Sequence, residues 1–297
     1  MSVGPEHEAP RPAGGDGFSD AVTFAFGDER ADLYGVARLG LAGGAASGLV
    51  ILFHDGDPVV VSAEGGIEVT GSPGWNDVSA AGLDTEIVEP LQAWRLRYAG
   101  DEASLDLDVR ALGAVAELDP AHPAAKAGGM TGYEQQCRVT GTAIFGGRRI
   151  SVDGRGQRGH SWGAPDWERI EVARTVSAWL GDDVAVTVTA IRPAGKDDHG
   201  REAIAATILE PAGEDDEPSA VAVADTRLST TYDAAGRQRQ AGLELWVDED
   251  GLPRRAAGEL LCGTSLDLGR LRLDCAFFRW RMDGHSGFGR YDILRRA

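Results

Sequence analysis

The sequence predicts an all-β fold built from antiparallel hairpins, a sandwich or a barrel. Three observations point there. Short apolar segments alternating at period two recur along the chain, as in Trp94-Arg95-Leu96-Arg97-Tyr98 and Leu105-Asp106-Leu107-Asp108-Val109, and that period sets one face of a strand on a core. Turn signals such as Asp55-Gly56 and Asp283-Gly284 separate these segments, and such pairs suit tight hairpins. No long amphipathic helical pattern breaks the series, and no glycine-rich loop leads from a strand into a helix.

In chain order, Val22 to Phe26 and Leu33 to Leu41 read as strands. Gly48 to His54 and Val59 to Val61 follow, folded about Asp55-Gly56-Asp57-Pro58. A second hairpin joins the Trp94 and Leu105 segments across Ala99 to Glu102. Leu112 to Met130, rich in Ala, Pro and Gly, reads as a long loop. Strands resume at Cys137 to Ile144, turn at Phe145 to Arg148, and continue at Ile150 to Val152. Thr175 to Leu180 and Val184 to Ile191 form a hairpin about Gly181-Asp182-Asp183. The acidic, Pro- and Gly-bearing stretches Pro193 to Glu202 and Pro211 to Pro218 read as solvated loops, with His199 in the first. Leu243 to Val247, Leu271 to Trp280 and Tyr291 to Leu294 close the set.

Composition narrows the function classes. The chain has 297 residues, 42% of them hydrophobic, enough for one to three packed cores. Its net charge of −18 repels phosphate backbones and anionic membrane surfaces, so no nucleic-acid partner is expected. The same charge disfavours an anionic substrate unless the site carries local arginines. Cys137, Cys262 and Cys275 form neither a disulfide framework nor a metal-type pair, which suits a reducing cytoplasm. Residues 1–17, rich in Pro, Gly and acidic side chains, read as a disordered tail rather than a signal peptide. No apolar run is long enough to span a bilayer.

The segment Gly154-Arg155-Gly156-Gln157-Arg158-Gly159-His160-Ser161-Trp162-Gly163-Ala164-Pro165-Asp166-Trp167 concentrates the chemistry-bearing residues. It matches G-x-G-x-x-G and G-x-S-x-G by letter, but strands on both sides argue against a dinucleotide loop and against a nucleophile elbow. On a strand, His160 and Trp162 share a face. Imidazole exchanges protons near neutral pH, and indole faces stabilise a nearby cation. His160 and Asp166 are therefore the candidate proton-transfer pair, with Glu134 as a further acid. Trp162, Trp167, Tyr133 and Gln135 are the candidate substrate-binding residues. The competing reading makes Asp166 a turn cap and the tryptophans core. No histidine spacing indicates a metal, and no cofactor is expected.

Tyr133-Glu134-Gln135, Val139-Thr140-Gly141, Gly154-x-Gly156-Gln157-Arg158-x-His160-Ser161-Trp162-Gly163 and Asp166-Trp167 together resemble the AttH-like and carotenoid 1,2-hydratase (hydroxyneurosporene synthase) family. Glu89-Pro90 with Trp94, and Asp283-Gly284-x-x-Gly287-Phe288-Gly289, are similar too. Gly159 stands where an Asp commonly precedes the His. The resemblance implies two lipocalin-like (calycin) antiparallel β-barrel domains in tandem, expected at residues 18–167 and 168–297. It implies a hydrophobic, often isoprenoid, ligand; an apolar polyketide is the other substrate class expected. The resemblance also implies addition of water to an alkene without a redox cofactor, and cyclisation in related proteins; the expected activity is cofactor-independent proton-transfer chemistry, by hydration, isomerisation or cyclisation. The alternative is a non-catalytic binding protein for a hydrophobic small molecule.

Overall fold

The computed structural model describes residues 3–12, 14–181, 184–195, 202–210, 217–248 and 250–297. Asp182, Asp183, His199 and most of the two solvated-loop stretches lie outside the described residues. The chain is almost entirely β and forms two lipocalin-like antiparallel β-barrel domains in tandem. One compact unit comprises residues 1–112 and 130–165; the other comprises residues 113–129 and 166–297.

The first sheet holds β1 (Ser19–Asp28), β2 (Leu33–Ala42), β3 (Ala45–His54), β4 (Asp57–Glu68), β5 (Ser79–Ala80), β6 (Leu83–Glu89), β7 (Ala93–Ala99), β8 (Ala103–Leu118), β9 (Met130–Phe145) and β10 (Arg148–Gly163). Their order across the sheet is β4-β3-β2-β1-β10-β9-β8-β7-β6-β5. Every hairpin is local except the return of β10 beside β1. The β3–β4 turn uses Asp55 and Gly56, both at positive φ (51° and 82°), the geometry of the tightest hairpins. The two ends of the sheet meet, so the barrel nearly closes. Ala81 N–H donates to Glu64 Oε2 (2.8 Å) and Ser62 Oγ–H to the Ala81 carbonyl (3.3 Å).

The second unit repeats the plan. It holds β11 (Ile170–Leu180), β12 (Val184–Pro193), β13 (Ala203–Glu210), β14 (Ser219–Ala222), β15 (Asp225–Tyr232), β16 (Gln238–Trp246), β17 (Arg254–Leu268), β18 (Leu271–Met282) and β19 (His285–Arg296), in the order β14-β13-β12-β11-β19-β18-β17-β16-β15. Again the last strand returns beside the first. Alternate residues of these strands, such as Val176, Val186, Leu243, Phe278 and Tyr291, fill its core.

The segment expected as a long loop is instead strand and helix. β8 runs to Leu118, and α1 (Pro123–Gly128) follows. Pro123 suits the first helical turn, the alanines favour helix, and the His122 ring accepts the Ala124 N–H (3.1 Å). Gly129, left-handed at φ 62°, ends it. The helix is only six residues long, too short for a periodicity signal.

The glycines of the central segment have a packing explanation. Gly154 and Gly156 lie on β10 opposite β1, and a methyl at either would collide with the backbone carbonyl of Gly27 or Ala25. Gly287 and Gly289 occupy the matching place on β19, against the carbonyls of Trp179 and Ser177 on β11. Each Gly-x-Gly therefore lets the returning strand lie tightly on the first. Gly156→Ala and Gly289→Ala should each destabilise the fold by about 1–3 kcal/mol through overpacking. Gly65→Ala, whose methyl would meet only Ser47 Cβ at 3.7 Å, should be close to neutral. Urea unfolding of the three variants checks this.

Candidate functional site

Strand register decides which side chains of the central segment meet. In β10, Arg158, His160 and Trp162 alternate onto one face. That face lies opposite Phe24, Val22 and Asp20 of β1 on one side, and Gln135, Tyr133 and Thr131 of β9 on the other. Phe24, Val22 and, from further along β9, Cys137 belong to the apolar core of the first unit. The face is thus turned inward and carries polar groups into that core.

His160 is 1% exposed. Its Nε2 lies 2.7 Å from Asp20 Oδ1 and its Nδ1 lies 2.8 Å from the His7 carbonyl oxygen. Both partners are acceptors, so the two contacts need two protons held between the imidazole and the Asp20 carboxyl. The other Asp20 oxygen accepts the Arg11 N–H (2.5 Å). Trp75, Tyr133 and Trp162 surround the imidazole edge to face, at centroid distances of 5.7, 5.7 and 5.1 Å. The Arg11 guanidinium sits 4.2 Å above the Trp162 ring.

A second polar cluster adjoins the first. Glu8 Oε1 accepts from Arg158 Nη1 (2.5 Å) and from the Tyr133 hydroxyl (2.6 Å), and Glu8 Oε2 accepts from Trp94 Nε1 (2.6 Å). Arg158 also donates to Gln135 Oε1, whose amide Nε2 donates to the Leu91 carbonyl (3.3 Å). Glu8, Arg158, Tyr133, Trp94 and Gln135 are each buried. Burial works against the charge on Arg158, but Glu8, Tyr133 and Cys137 together outweigh it and hold the guanidinium protonated. Burial pushes the Tyr133 hydroxyl far up, with Glu8 adding to the shift against Arg158, so the phenol stays a donor.

Residues 3–12, expected as part of a disordered tail, are instead held on the first unit, because an inward arginine requires a buried counter-charge and Glu8 supplies it. The other candidates are distributed differently. Asp166 is exposed; its Oδ1 accepts the Glu168 N–H (3.0 Å) and its Oδ2 pairs with Arg169 (3.4 Å), so it caps a turn. The carboxyl on His160 is that of Asp20, not that of Asp166. Glu134 lies opposite Gly159, on the face of β9 turned away from His160 and Tyr133. Trp167 is half-buried and lines a shallow cavity of about 170 Å³ with Glu168, Leu268, Arg270, Leu271 and Arg296 of the second unit. Tyr133, Gln135 and Trp162 do join His160's face. Ser161 lies on a continuous strand without a strand-to-helix turn, so the serine-elbow pattern has no structural counterpart. Sequence reasoning missed Glu8, Asp20, Trp75 and Trp94. Arg158 was the available signal, since its spacing from His160 already set a cation on the inward face.

A family model described as a domain of unknown function (DUF7064) matches residues 4–297. The chain belongs to the DUF7064 family. A search of curated protein sequences finds no match to it. Solved structures share the fold of this DUF7064 chain. A protein described as an AttH from Nitrosomonas europaea superimposes with a TM-score of 0.69 at 13% identity, over 94% of this chain and 92% of that one. Kievitone hydratase from Nectria haematococca superimposes with a TM-score of 0.62 at 12% identity, over 94% and 89%. CghA, solved with Sch210972, gives 0.63 at 12% identity, over 94% and 89%. The AttH and hydratase resemblance seen in the sequence thus has its counterpart in the fold. Among the described residues of this DUF7064 chain no group of three or more His, Cys, Asp and Glu side chains is arranged to hold a metal. No helix there is long and apolar enough to cross a membrane.

Breaking the buried pair should be costly. Arg158→Met is expected to destabilise the protein by about 3–5 kcal/mol, since it strands the Glu8 carboxylate. Asp166→Asn, at an exposed turn, should cost less than about 1 kcal/mol. Urea denaturation followed by tryptophan fluorescence compares the two.

Proposed function

We propose that the protein is an enzyme that acts on an apolar small molecule by proton transfer, without a redox cofactor, and carries out hydration, isomerisation or cyclisation. The observation that carries this reading is the His160–Asp20 pair. It is a dissociable proton held in the interior and walled by Trp75, Tyr133 and Trp162. His160 is the proton donor and Asp20 its positioning partner. In a hydration, the His7 carbonyl gives up its hydrogen bond to Nδ1, the imidazolium passes its Nδ1 proton to one alkene carbon, and the adjacent carbon becomes cationic. Water oxygen bonds to that carbon, and a proton of the water returns to the imidazole, so the protein ends unchanged. The aromatic faces stabilise the transient cation, and exclusion of water strengthens each electrostatic contact. An isoprenoid or polyketide fits such walls. Tyr133, Gln135 and Trp162 belong to the same face as His160 and are the proposed substrate-side residues. The fold shared with kievitone hydratase supports an enzymatic reading.

One observation favours a second reading, a carrier of hydrophobic small molecules. The polar cluster is almost wholly buried and richly hydrogen-bonded, as expected of groups that organise a barrel interior. Mass spectrometry of small molecules retained through native purification tells the two apart. We expect an apolar ligand that, on incubation in deuterated water, yields a product deuterated at carbon. His160→Gln and Asp20→Asn should slow that conversion by about 10²–10⁴-fold, and Asp166→Asn should leave it unchanged. Full turnover by a folded His160→Gln variant would sink the enzymatic reading. A ligand recovered unaltered, whose retention depends on Trp162, would favour the carrier.

A further inference from the structure

We propose that Arg158, Tyr133 and Trp94 form a binding site for the carboxylate of a hydrophobic acid, and that Glu8 occupies it as an internal stand-in for that ligand. As far as it assigns a headgroup to the enzyme's substrate, the proposal rests on the reading above. The anion site itself does not depend on any chemistry at His160.

Three donors from three strands, β10, β9 and β7, converge on one carboxylate at 2.5–2.6 Å. The guanidinium carbon of Arg158 lies 5.4 Å from the centroids of both the Trp94 and the Tyr133 rings. A fixed cation between two aromatic rings, with a phenol and an indole N–H beside it, suits an acid headgroup joined to an apolar body. The overall charge of −18 repels free anions, so an acid needs such a buried cation to be held.

Glu8 comes from outside the barrel wall. Residues 3–12 contribute no strand to the sheet, which begins at Ser19. Within residues 3–12 only Glu8 is fully buried; Pro5, Glu6 and Ala9 are exposed. The segment is anchored by the Glu8 carboxylate, by the Arg11 guanidinium over Trp162, and by backbone contacts of His7 and Arg11. Replacing the Glu8 carboxylate with a ligand carboxylate leaves the number of buried charges unchanged. The large penalty of stranding Arg158 therefore never arises in the exchange. The competition reduces to the segment's few remaining contacts against the ligand's apolar surface, worth about 25 cal/mol per Å² buried.

The residue before Glu8 places its carbonyl oxygen on His160 Nδ1. An acid that displaces the segment takes over the Arg158 contact and frees that nitrogen. The headgroup site thus points the body of the ligand towards the group proposed to deliver the proton.

Decanoate and decanol, equal in chain length and different in headgroup, are the probes, tested on full-length wild type and Glu8→Ala. Decanoate should bind Glu8→Ala more tightly than wild type and raise its melting temperature, or restore its fold if the variant is unfolded alone. Decanol should do neither. Adding Arg158→Gln should weaken decanoate binding about thirtyfold or more. His160→Gln should leave it intact, which separates failure of the anion site from failure of the catalytic reading. In wild type, decanoate should speed hydrogen exchange of the amides in residues 3–12. The proposal is overturned if decanoate and decanol act alike on Glu8→Ala, or if decanoate up to its solubility limit leaves the exchange of residues 3–12 unchanged.

Discussion

The interior of the first barrel is organised by the need to neutralise Arg158. A guanidinium among Phe24, Trp94 and Cys137 is unsupportable without a partner, since an isolated buried charge costs far more than any single packing contact returns. The strands around it offer a phenol, an indole and an amide, while the buried carboxylate of β1, Asp20, is engaged by His160. The counter-charge comes from eleven residues before the first strand. Once Glu8 is fixed, the adjoining His7 carbonyl is fixed too, and with it one of the two hydrogen bonds that orient the His160 ring. The electrostatics of one arginine thus reach the proton-carrying pair through a short stretch of backbone.

Much of the fold was legible because it follows from local rules. Period-two alternation located the hairpins, and Asp55-Gly56 marked its turn by the backbone conformation those residues accept. The strand pairing that brings β10 back to β1 was not legible, because nothing local encodes a partner more than a hundred residues away. The glycines illustrate the difference. Gly154 and Gly156 suggested a phosphate loop by spacing alone, whereas their role is to admit the backbone of β1 at close range. Spacing reports that a side chain is unwelcome, not what approaches in its place.

The site divides along the same line. His160 and Trp162 could be set on one face because their relation is intrastrand. Asp166 was paired with His160 by nearness in sequence, and the chain leaves the strand between them at Gly163. Asp20 and Glu8 could not be found that way. Asp20 enters through the β1–β10 register, opposite Trp162. Glu8 enters from a segment whose composition resembles disorder, and composition cannot register a single buried anchor.

The second unit supplies the comparison that gives the first its meaning. There too an inward arginine, Arg174 of β11, is buried with a glutamate and a tyrosine. Its Nε donates to Glu202 Oε1 (2.9 Å), and Tyr291 lies within 3.4 Å of its Nη1. Thr230 completes the set, 2.6 Å from the Tyr291 hydroxyl. Yet Glu202 immediately precedes β13 (Ala203–Glu210), a strand paired along its length with β12. Withdrawing Glu202 would pull on the start of that strand, where Ala203 is paired with Ile191 of β12. Withdrawing Glu8 disturbs no sheet hydrogen bond. Two similar buried clusters therefore differ in the one property that matters for ligand exchange, the tether on the carboxylate. In the second barrel that tether makes the arginine part of the framework. In the first it leaves the arginine open to an acid brought from outside.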